Sequence, residues 1–308
     1  MRKIYDCFTF FNEFDILEIR LRELYDHVDH FVIAESNKTH SGKDKSFYLL
    51  DNFERFAPWK DKIIHVPVTD MPGVTQEWGR NPTTGLFELR DNYWHNERHQ
   101  RNCLVRALNN AQPTDVIMLG DVDELVRPHC ADFIRFDFLH RLWAFRMPMF
   151  NYRFNYMWTK PLIFQVQGQA LTIECIKEFP NLSYIREVYG RIWLERPKMF
   201  DNGVEFCFPH AGWHFSSLGD TKFVANKLRH VADYFPEVAD TINLDDLISQ
   251  RTSQVVQGSV FEPVILDDYF PKSVFQNQER YKDLILTDGT QTVLDKLSII
   301  PMTSAEQF

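Results

Sequence analysis

Nowhere in the 308 residues does an apolar run reach the length of about 18 residues that a membrane-spanning helix needs. The N-terminal segment holds Ile4, Cys7, Phe8, Phe10 and Phe11, but Asp6, Asn12 and Glu13 interrupt them, so no signal-peptide core is present. A soluble, cytoplasmic chain with no transmembrane segment is the expectation. Positive charge is scarce as well. Lys and Arg number 34 against 43 Asp and Glu, a net charge of −9, so no broad basic field exists to hold nucleic acid. An acidic chain that binds a diphosphate must neutralise it locally, with a metal or a few placed cations. The five cysteines (Cys7, Cys103, Cys130, Cys175, Cys207) are odd in number and far apart, with no CxxC spacing. That pattern indicates neither a disulfide framework nor a zinc site, and fits reduced thiols. No internal repeat or low-complexity tract is visible.

What is present is an ordinary globular composition, 44% apolar, with an excess of aromatic residues that includes 27 Phe. Any single Phe is best read as core, although surplus rings also suit sugar-facing clefts. The length predicts one α/β domain of about 240 residues with a C-terminal appendage. Along the first 120 residues strands and helices alternate. Ile4–Phe10 reads as a strand, with Asn12 as cap of the next helix. In that helix Leu17, Leu21, Leu24 and Val28 mark one buried face. His30–Ala34 and Lys62–Val68 are further strands. Residues 69–91, with Pro72, Gly73, Gly79, Pro82 and Gly85, read as a long loop. A helix is expected over Tyr93–Asn110 and a buried strand over Asp115–Gly120. Repeated strand–helix–strand units imply a mainly parallel sheet flanked by helices, with ligands bound beyond the carboxyl ends of its strands. Beyond Pro128 the aromatic stretch Leu142–Tyr156 is strand-like, and a helix from Thr221 carries Val224, Leu228, Val231 and Phe235.

The strongest local signal is Leu119-Gly120-Asp121-Val122-Asp123-Glu124, in which a hydrophobic strand delivers three acids to a loop. Asp121 and Asp123 fall on the same side of an extended segment. Two carboxylates held so close repel unless a cation lies between them, and hard oxygen ligands suit Mg²⁺ or Mn²⁺. The plain alternative is an acidic turn in solvent. A second signal is Pro209-His210-Ala211-Gly212-Trp213-His214-Phe215-Ser216. Gly212 would admit a ligand to the backbone, Trp213 would offer a stacking face, and His214 a nitrogen ligand. A satisfied structural histidine is the plain reading there. Glu97 and Arg101 share a helix face at a spacing of four, either as an exposed ion pair or as a cation near the acid loop. Arg98 and Arg106 are the neighbouring cations.

At these residues the chain resembles glycosyltransferase family 17. The segments are Tyr5–Glu13, Val28–Asn37, Glu97 with Arg101, Asp121–Glu124, Gly212–Ser216, and Tyr269-Phe270-Pro271-Lys272 followed by Asn277, Arg280 and Tyr281. They match in order across nearly the whole chain. Leu125-Val126 stands where the family pattern has Ile-Pro. The resemblance implies a GT-A fold, with a Rossmann-like, mainly parallel sheet and a C-terminal helical extension. It implies a UDP-GlcNAc donor, an oligosaccharide or glycoprotein glycan acceptor, Mn²⁺ or Mg²⁺, and inversion at the anomeric carbon. His214 would complete a metal site with Asp121 and Asp123. Phe10, Asn12, Glu13 and Glu35 lie at strand ends where a nucleoside would sit. Arg101 would face the phosphates and Trp213 the sugars. For the general base, Asp220 and Glu205 are the candidates, with Asp201 and Glu124 as rivals. The catalytic domain would span 1–240, with a nucleotide half over about 1–128 and an acceptor half over about 129–240, and 241–308 would pack on it as an extension.

Two other readings fit parts of the pattern. A phosphohydrolase of the haloacid dehalogenase type also sets a DxD after a hydrophobic strand, but on its first strand and followed by a small or hydroxyl residue. A non-catalytic carbohydrate-binding protein would take glycan without metal or nucleotide.

Overall fold

The computed structural model describes residues 1–80, 86–160, 165–187, 205–232, 236–253 and 258–298. Among these residues fourteen strands follow in chain order: β1 Ile4–Thr9, β2 His30–Ser36, β3 Ile63–Val68, β4 Thr75–Arg80, β5 Phe87–Asn92, β6 Val116–Asp121, β7 Glu124–Val126, β8 Leu142–Met147, β9 Met149–Asn151, β10 Tyr156–Lys160, β11 Gln165–Thr172, β12 Glu205–Phe208, β13 Gly212–Ser216 and β14 Val260–Pro263. Seven of them form the main sheet in the order β12-β8-β11-β6-β1-β2-β3. β6, β1, β2 and β3 are mutually parallel, β12 is parallel to β8, and β11 runs antiparallel to both β6 and β8.

The sheet is buried on both faces because its central strands alternate two apolar sets. From β1, Ile4 and Phe8 join the core that also takes Leu17, Leu21 and Leu24 of the Phe14–Leu24 helix. Tyr5 and Cys7 point the other way, into the core that takes Cys103 and Leu104. Leu17, Leu21, Leu24 and Val28 are each at most 1% exposed, as a single helical stripe requires. A smaller sheet, β14-β10-β9-β13-β7, is built from the strand that follows the acid loop and from later segments. β14 pairs with β10, and Phe270, Val274 and Tyr281 enter the first core, so chain beyond residue 240 completes both sheet and core.

Several local expectations are corrected. The Phe14–Leu24 helix takes no side-chain cap, and Asn12 meets it only through its carbonyl, which accepts from Phe14 N–H at 3.0 Å. The segment 69–91 holds most of the β4–β5 ribbon, in which only Phe87 and Leu89 of β5 alternate with polar residues, and the glycines and prolines in and around it read as a loop. Its outward face carries Trp78 and Phe87, each 67% exposed and stacked at 6.1 Å. The helix before β6 is α only over Trp94–Asn102 and tightens to a 3₁₀ turn over Cys103–Ala107. The stretch Leu142–Tyr156 is three strands interrupted around Pro148, whose nitrogen cannot donate to a ladder. The Thr221–His230 helix ends before Val231, and Phe235 lies outside the described residues. Among the described residues no helix is long and apolar enough to cross a membrane.

Candidate functional site

The buried strand β6 ends at Asp121, level with Thr9 of β1, and a cleft of about 580 Å³ opens there at the carboxyl end of the parallel strands. The acid loop that follows does not hang in solvent. Arg20, on the first helix and 1% exposed, bonds Asp6 through two nitrogens and donates a third to the carbonyls of Asp121, Val122 and Glu124 at 2.8, 3.2 and 2.8 Å. Glu124 folds back so that its Oε2 accepts from Asp121 N–H at 2.9 Å. Gly120 leaves room for it, since a Cβ there would lie 2.9 Å from that oxygen and push the carboxylate aside. Asp123 is 6% and Glu124 1% exposed, while the Asp121 carboxylate keeps 35% of its surface toward the cleft.

Three cations surround these acids. Arg101 reaches Asp121 Oδ1 at 2.9 Å and contacts Glu97, and its Nη1 is buried with no partner. The Glu97–Arg101 pair is therefore buried, where an exposed i,i+4 pair was the plainer expectation. Arg186 contacts Glu124 and lies 3.4 Å from Asp121 Oδ2. Lys227, on the Thr221–His230 helix, stands 3.1 Å from both Asp123 Oδ2 and Glu13 Oε1. Burial alone would raise the pKa of Asp121, but Arg101 and Arg186 outweigh it and hold that carboxyl well below the usual range. At Glu124 burial wins, joined by the charges of Asp121 and Asp123, and the pKa is pushed up to about 8 in spite of Arg186.

Strand β13 brings the histidine. Its ladder with β7 sets His214 opposite Glu124, and His214 Nε2 lies 3.8 Å from Asp123 Oδ1. Burial lowers the His214 pKa, so the ring is neutral near pH 7, and its Nδ1 is buried without a partner. The period of two along a strand then decides its neighbours. His214 and Ser216 line the cleft, whereas Trp213 and Phe215 point into the core. Trp213 is 2% exposed, carries the Arg127 guanidinium 4.1 Å above its ring, and donates to the Tyr269 carbonyl. It offers no face to a sugar, contrary to expectation. Gly212 serves packing as well, since a Cβ there would sit 1.8 Å from the Leu125 carbonyl oxygen.

Of the residues singled out from sequence, Phe10, Glu13, Glu97, Arg101, Asp121, Asp123, Glu124 and His214 meet at the cleft. Others do not. Asn12 is not part of its wall. Glu35 is fully buried and organises the following loop, accepting from Lys45 Nζ at 2.9 Å and from the backbone N–H of Tyr48 and Leu49. Asp220 is exposed and caps the Thr221–His230 helix by accepting from Phe223 N–H at 2.7 Å. Glu205 opens β12 with its backbone paired to Leu142, at the far edge of the main sheet. Asp201 lies outside the described residues. Arg98 turns to Glu187 and Arg106 to Asp70. Sequence reasoning missed Arg20, Arg186 and Lys227. Only Lys227 left a trace, a polar position beside the apolar stripe of its helix.

For a divalent ion the donors are partly assembled. Asp123 Oδ1 and His214 Nε2 face one another across 3.8 Å, and an Mg²⁺-like ion needs only one or two carboxylates once phosphate and water supply the rest. Asp121 stands apart on its two arginines. Among the described residues its oxygens do not come within 4.8 Å of both Asp123 and His214 donors, so the expected three-residue set reduces to two in this arrangement. The group that does meet that spacing, Asp70, His99 and Cys103, lies away from the cleft, and the Arg106 fork takes both Asp70 oxygens.

Counted along the chain, the seven main strands run 3-2-1-4-6-5-7 with the sixth antiparallel, and an acidic DxD loop closes the fourth beside a cleft. That combination defines the GT-A glycosyltransferase architecture. The model of glycosyltransferase family 17 matches residues 1–162, more than half of the sequence, and the chain belongs to this family. It is 26% identical over 310 residues to the β-1,4-mannosyl-glycoprotein 4-β-N-acetylglucosaminyltransferases of Rattus norvegicus and Homo sapiens. The match covers 92% of this chain but 54% and 55% of those proteins, so the chain spans about half their length. A more distant likeness, at a TM-score of 0.36 and 13% identity, links 89% of the chain to 91% of glucosyl-3-phosphoglycerate synthase from Mycobacterium tuberculosis, solved with Mn²⁺, UDP and phosphoglyceric acid. Nothing is inferred from a likeness so remote.

Proposed function

We propose that the chain is an inverting, metal-dependent glycosyltransferase that moves GlcNAc from UDP-GlcNAc to a hydroxyl of a glycan acceptor. The observation that carries this reading is a cleft whose acid loop is ringed by Arg101, Arg186 and Lys227, with one Arg101 nitrogen left unpartnered. Such a site can hold both a divalent cation and the diphosphate it neutralises. Asp123 and His214 would hold Mn²⁺ or Mg²⁺, which when bound stabilises the charge on the departing nucleoside diphosphate. Arg101 and Arg186 would take phosphate oxygens and shift part of their charge from Asp121. Phe11, on the cleft wall beside Lys45, offers a ring to the base.

Inversion requires a general base to take the acceptor proton, and an ionised carboxylate can serve. Among the described residues six acids line the cleft, and five of them (Glu13, Glu97, Asp121, Asp123, Glu124) pair with Arg101, Arg186 or Lys227. Glu187 alone pairs outward, with Arg98, and its carboxylate is 35% exposed. It replaces Asp220 and Glu205 as the base candidate. The donor side would draw mostly on residues 1–128 and the acceptor side on later ones.

A nucleotide-sugar panel titrated calorimetrically with and without Mn²⁺ tests the reading. UDP-GlcNAc should bind tightest, and only with the metal. Metal-independent binding of glycan with no nucleotide binding would make this a lectin-like protein. Turnover of simple phosphomonoesters would make it a phosphohydrolase.

A further inference from the structure

Lys227 bridges two acids that follow neighbouring strands, Glu13 after β1 and Asp123 after β6, at 3.1 Å from each. Its side chain is only 14% exposed. Glu13 is fixed from behind, since its Oε2 accepts from the N–H groups of Asn12 at 3.0 Å and Phe11 at 3.3 Å. Asp123 is divided between two neighbours: Oδ2 faces the ammonium, while Oδ1 faces His214 at 3.8 Å. The ammonium thus stands beside the very carboxylate that would receive a divalent ion, and it reduces the charge of that acid pair by one.

We infer that Lys227 is a tethered cation that keeps the empty site from gripping a divalent ion alone, and that joins the ion in holding the diphosphate. The inference rests on the transferase reading above. With Lys227 in place, an ion approaching Asp123 and His214 meets a like charge a few ångströms away. Once a diphosphate enters, the same ammonium is an added attraction, because the phosphate oxygens bring negative charge beside it. Ion and nucleotide then enter as a pair, and Lys227 already lines the cleft that would receive them. Arg101 and Arg186 cannot do this for Asp123, because their contacts are to Asp121, Glu97 and Glu124.

The test compares wild type with Lys227→Met and Lys227→Arg, titrating Mn²⁺ by electron paramagnetic resonance with and without UDP. Removing one unit charge a few ångströms from the site should strengthen Mn²⁺ binding without nucleotide by about tenfold or more. It should also weaken UDP binding at saturating Mn²⁺ by about tenfold, so that the mutual enhancement of the two ligands shrinks. Lys227→Arg, which keeps the charge, should resemble wild type in both arms, and circular dichroism checks that each variant is folded. If folded Lys227→Met matches wild type in both arms, Lys227 is only a structural ion pair and the inference is overturned. If Lys227→Met binds Mn²⁺ more weakly without nucleotide, the lysine supports the ion rather than opposing it, and the inference is again overturned. Wild type binding neither UDP nor Mn²⁺ would overturn the transferase reading together with this one.

Discussion

Arg20 and Asp6 face each other at the centre of the molecule, Nε to Oδ2 at 2.7 Å and Nη2 to Oδ1 at 2.6 Å, with neither more than 1% exposed. The remaining guanidinium nitrogen holds the backbone of the acid loop, so one buried ion pair sets where Asp121 and Asp123 sit. Removing one partner leaves a buried charge unpaired. Arg20→Met should cost about 3–5 kcal/mol in urea unfolding and lower UDP affinity as the loop loosens. The double variant with Asp6→Asn should recover part of the stability but none of the affinity. Recovery of both would show that the loop does not depend on Arg20.

Asp123 contributes differently. It lies in a loop, its carboxylate meets Lys227 and His214, and Lys227 keeps Glu13 as a partner when Asp123 is removed. Asp123→Ala should therefore leave the melting temperature within a few degrees of wild type while cutting sugar transfer by about 10²-fold or more, the scale of losing one charge-stabilising group. Normal turnover by Asp123→Ala at saturating Mn²⁺ would remove the loop from the mechanism.

Periodicity carried the fold, and its failures are physical. β1, β2 and β6 were legible as short apolar runs because the sheet is buried on both faces, and the Leu17–Leu21–Leu24 stripe because burial along a helix repeats every 3.6 residues. The β4–β5 ribbon was not, because its apolar face points outward and its glycines and prolines imitate a loop. At the site, Asp121, Asp123 and His214 were legible as residue types at a strand end. Trp213 was misread because its neighbour His214 takes the cleft side, and adjacent residues of a strand cannot both face it. Glu35 was misread because a carboxylate at a strand end can equally cap the turn that follows, which is where its oxygens go. Arg20, Arg186 and Lys227 reach the acids from 101, 65 and 104 residues away, and no local pattern encodes such meetings.

Glu124 gives a pH signature. Its folded pKa of about 8 stands above the ordinary 4.5, so the folded state holds a proton that the unfolded chain releases between those values. The stability linked to Glu124 is complete below about pH 4.5 and is lost as pH rises through about 8. Glu124→Gln cannot ionise. Melting curves in EDTA, which remove competition from bound cations, should show wild type losing ground to Glu124→Gln steadily from pH 5 to pH 9. A constant difference across that range would mean that the carboxyl is already ionised in the folded protein.

Glu18 shows the opposite sign far from the cleft. Three arginines converge on it: Arg22 at 3.0 Å, Arg55 at 2.8 Å and Arg280 at 2.7 Å. Burial would raise its pKa, yet the hydrogen bonds from Arg280, Arg55 and Arg22 prevail and lower it to about 2. The stability linked to this carboxylate is present above about pH 4.5 and is lost as pH falls through about 2. Because the arginines are 34–49% exposed, solvent screens them, and Glu18→Gln should cost about 1–3 kcal/mol at pH 7, below the full value for a buried pair. The gap between variant and wild type should close as the pH drops toward 2. Arg280 belongs to the turn that seats Tyr281 against Phe154, so the variant should also exchange backbone amides faster over Gln278–Leu284. Unchanged exchange there, together with a stability gap that persists at low pH, would mean that the C-terminal segment is held by its apolar contacts alone.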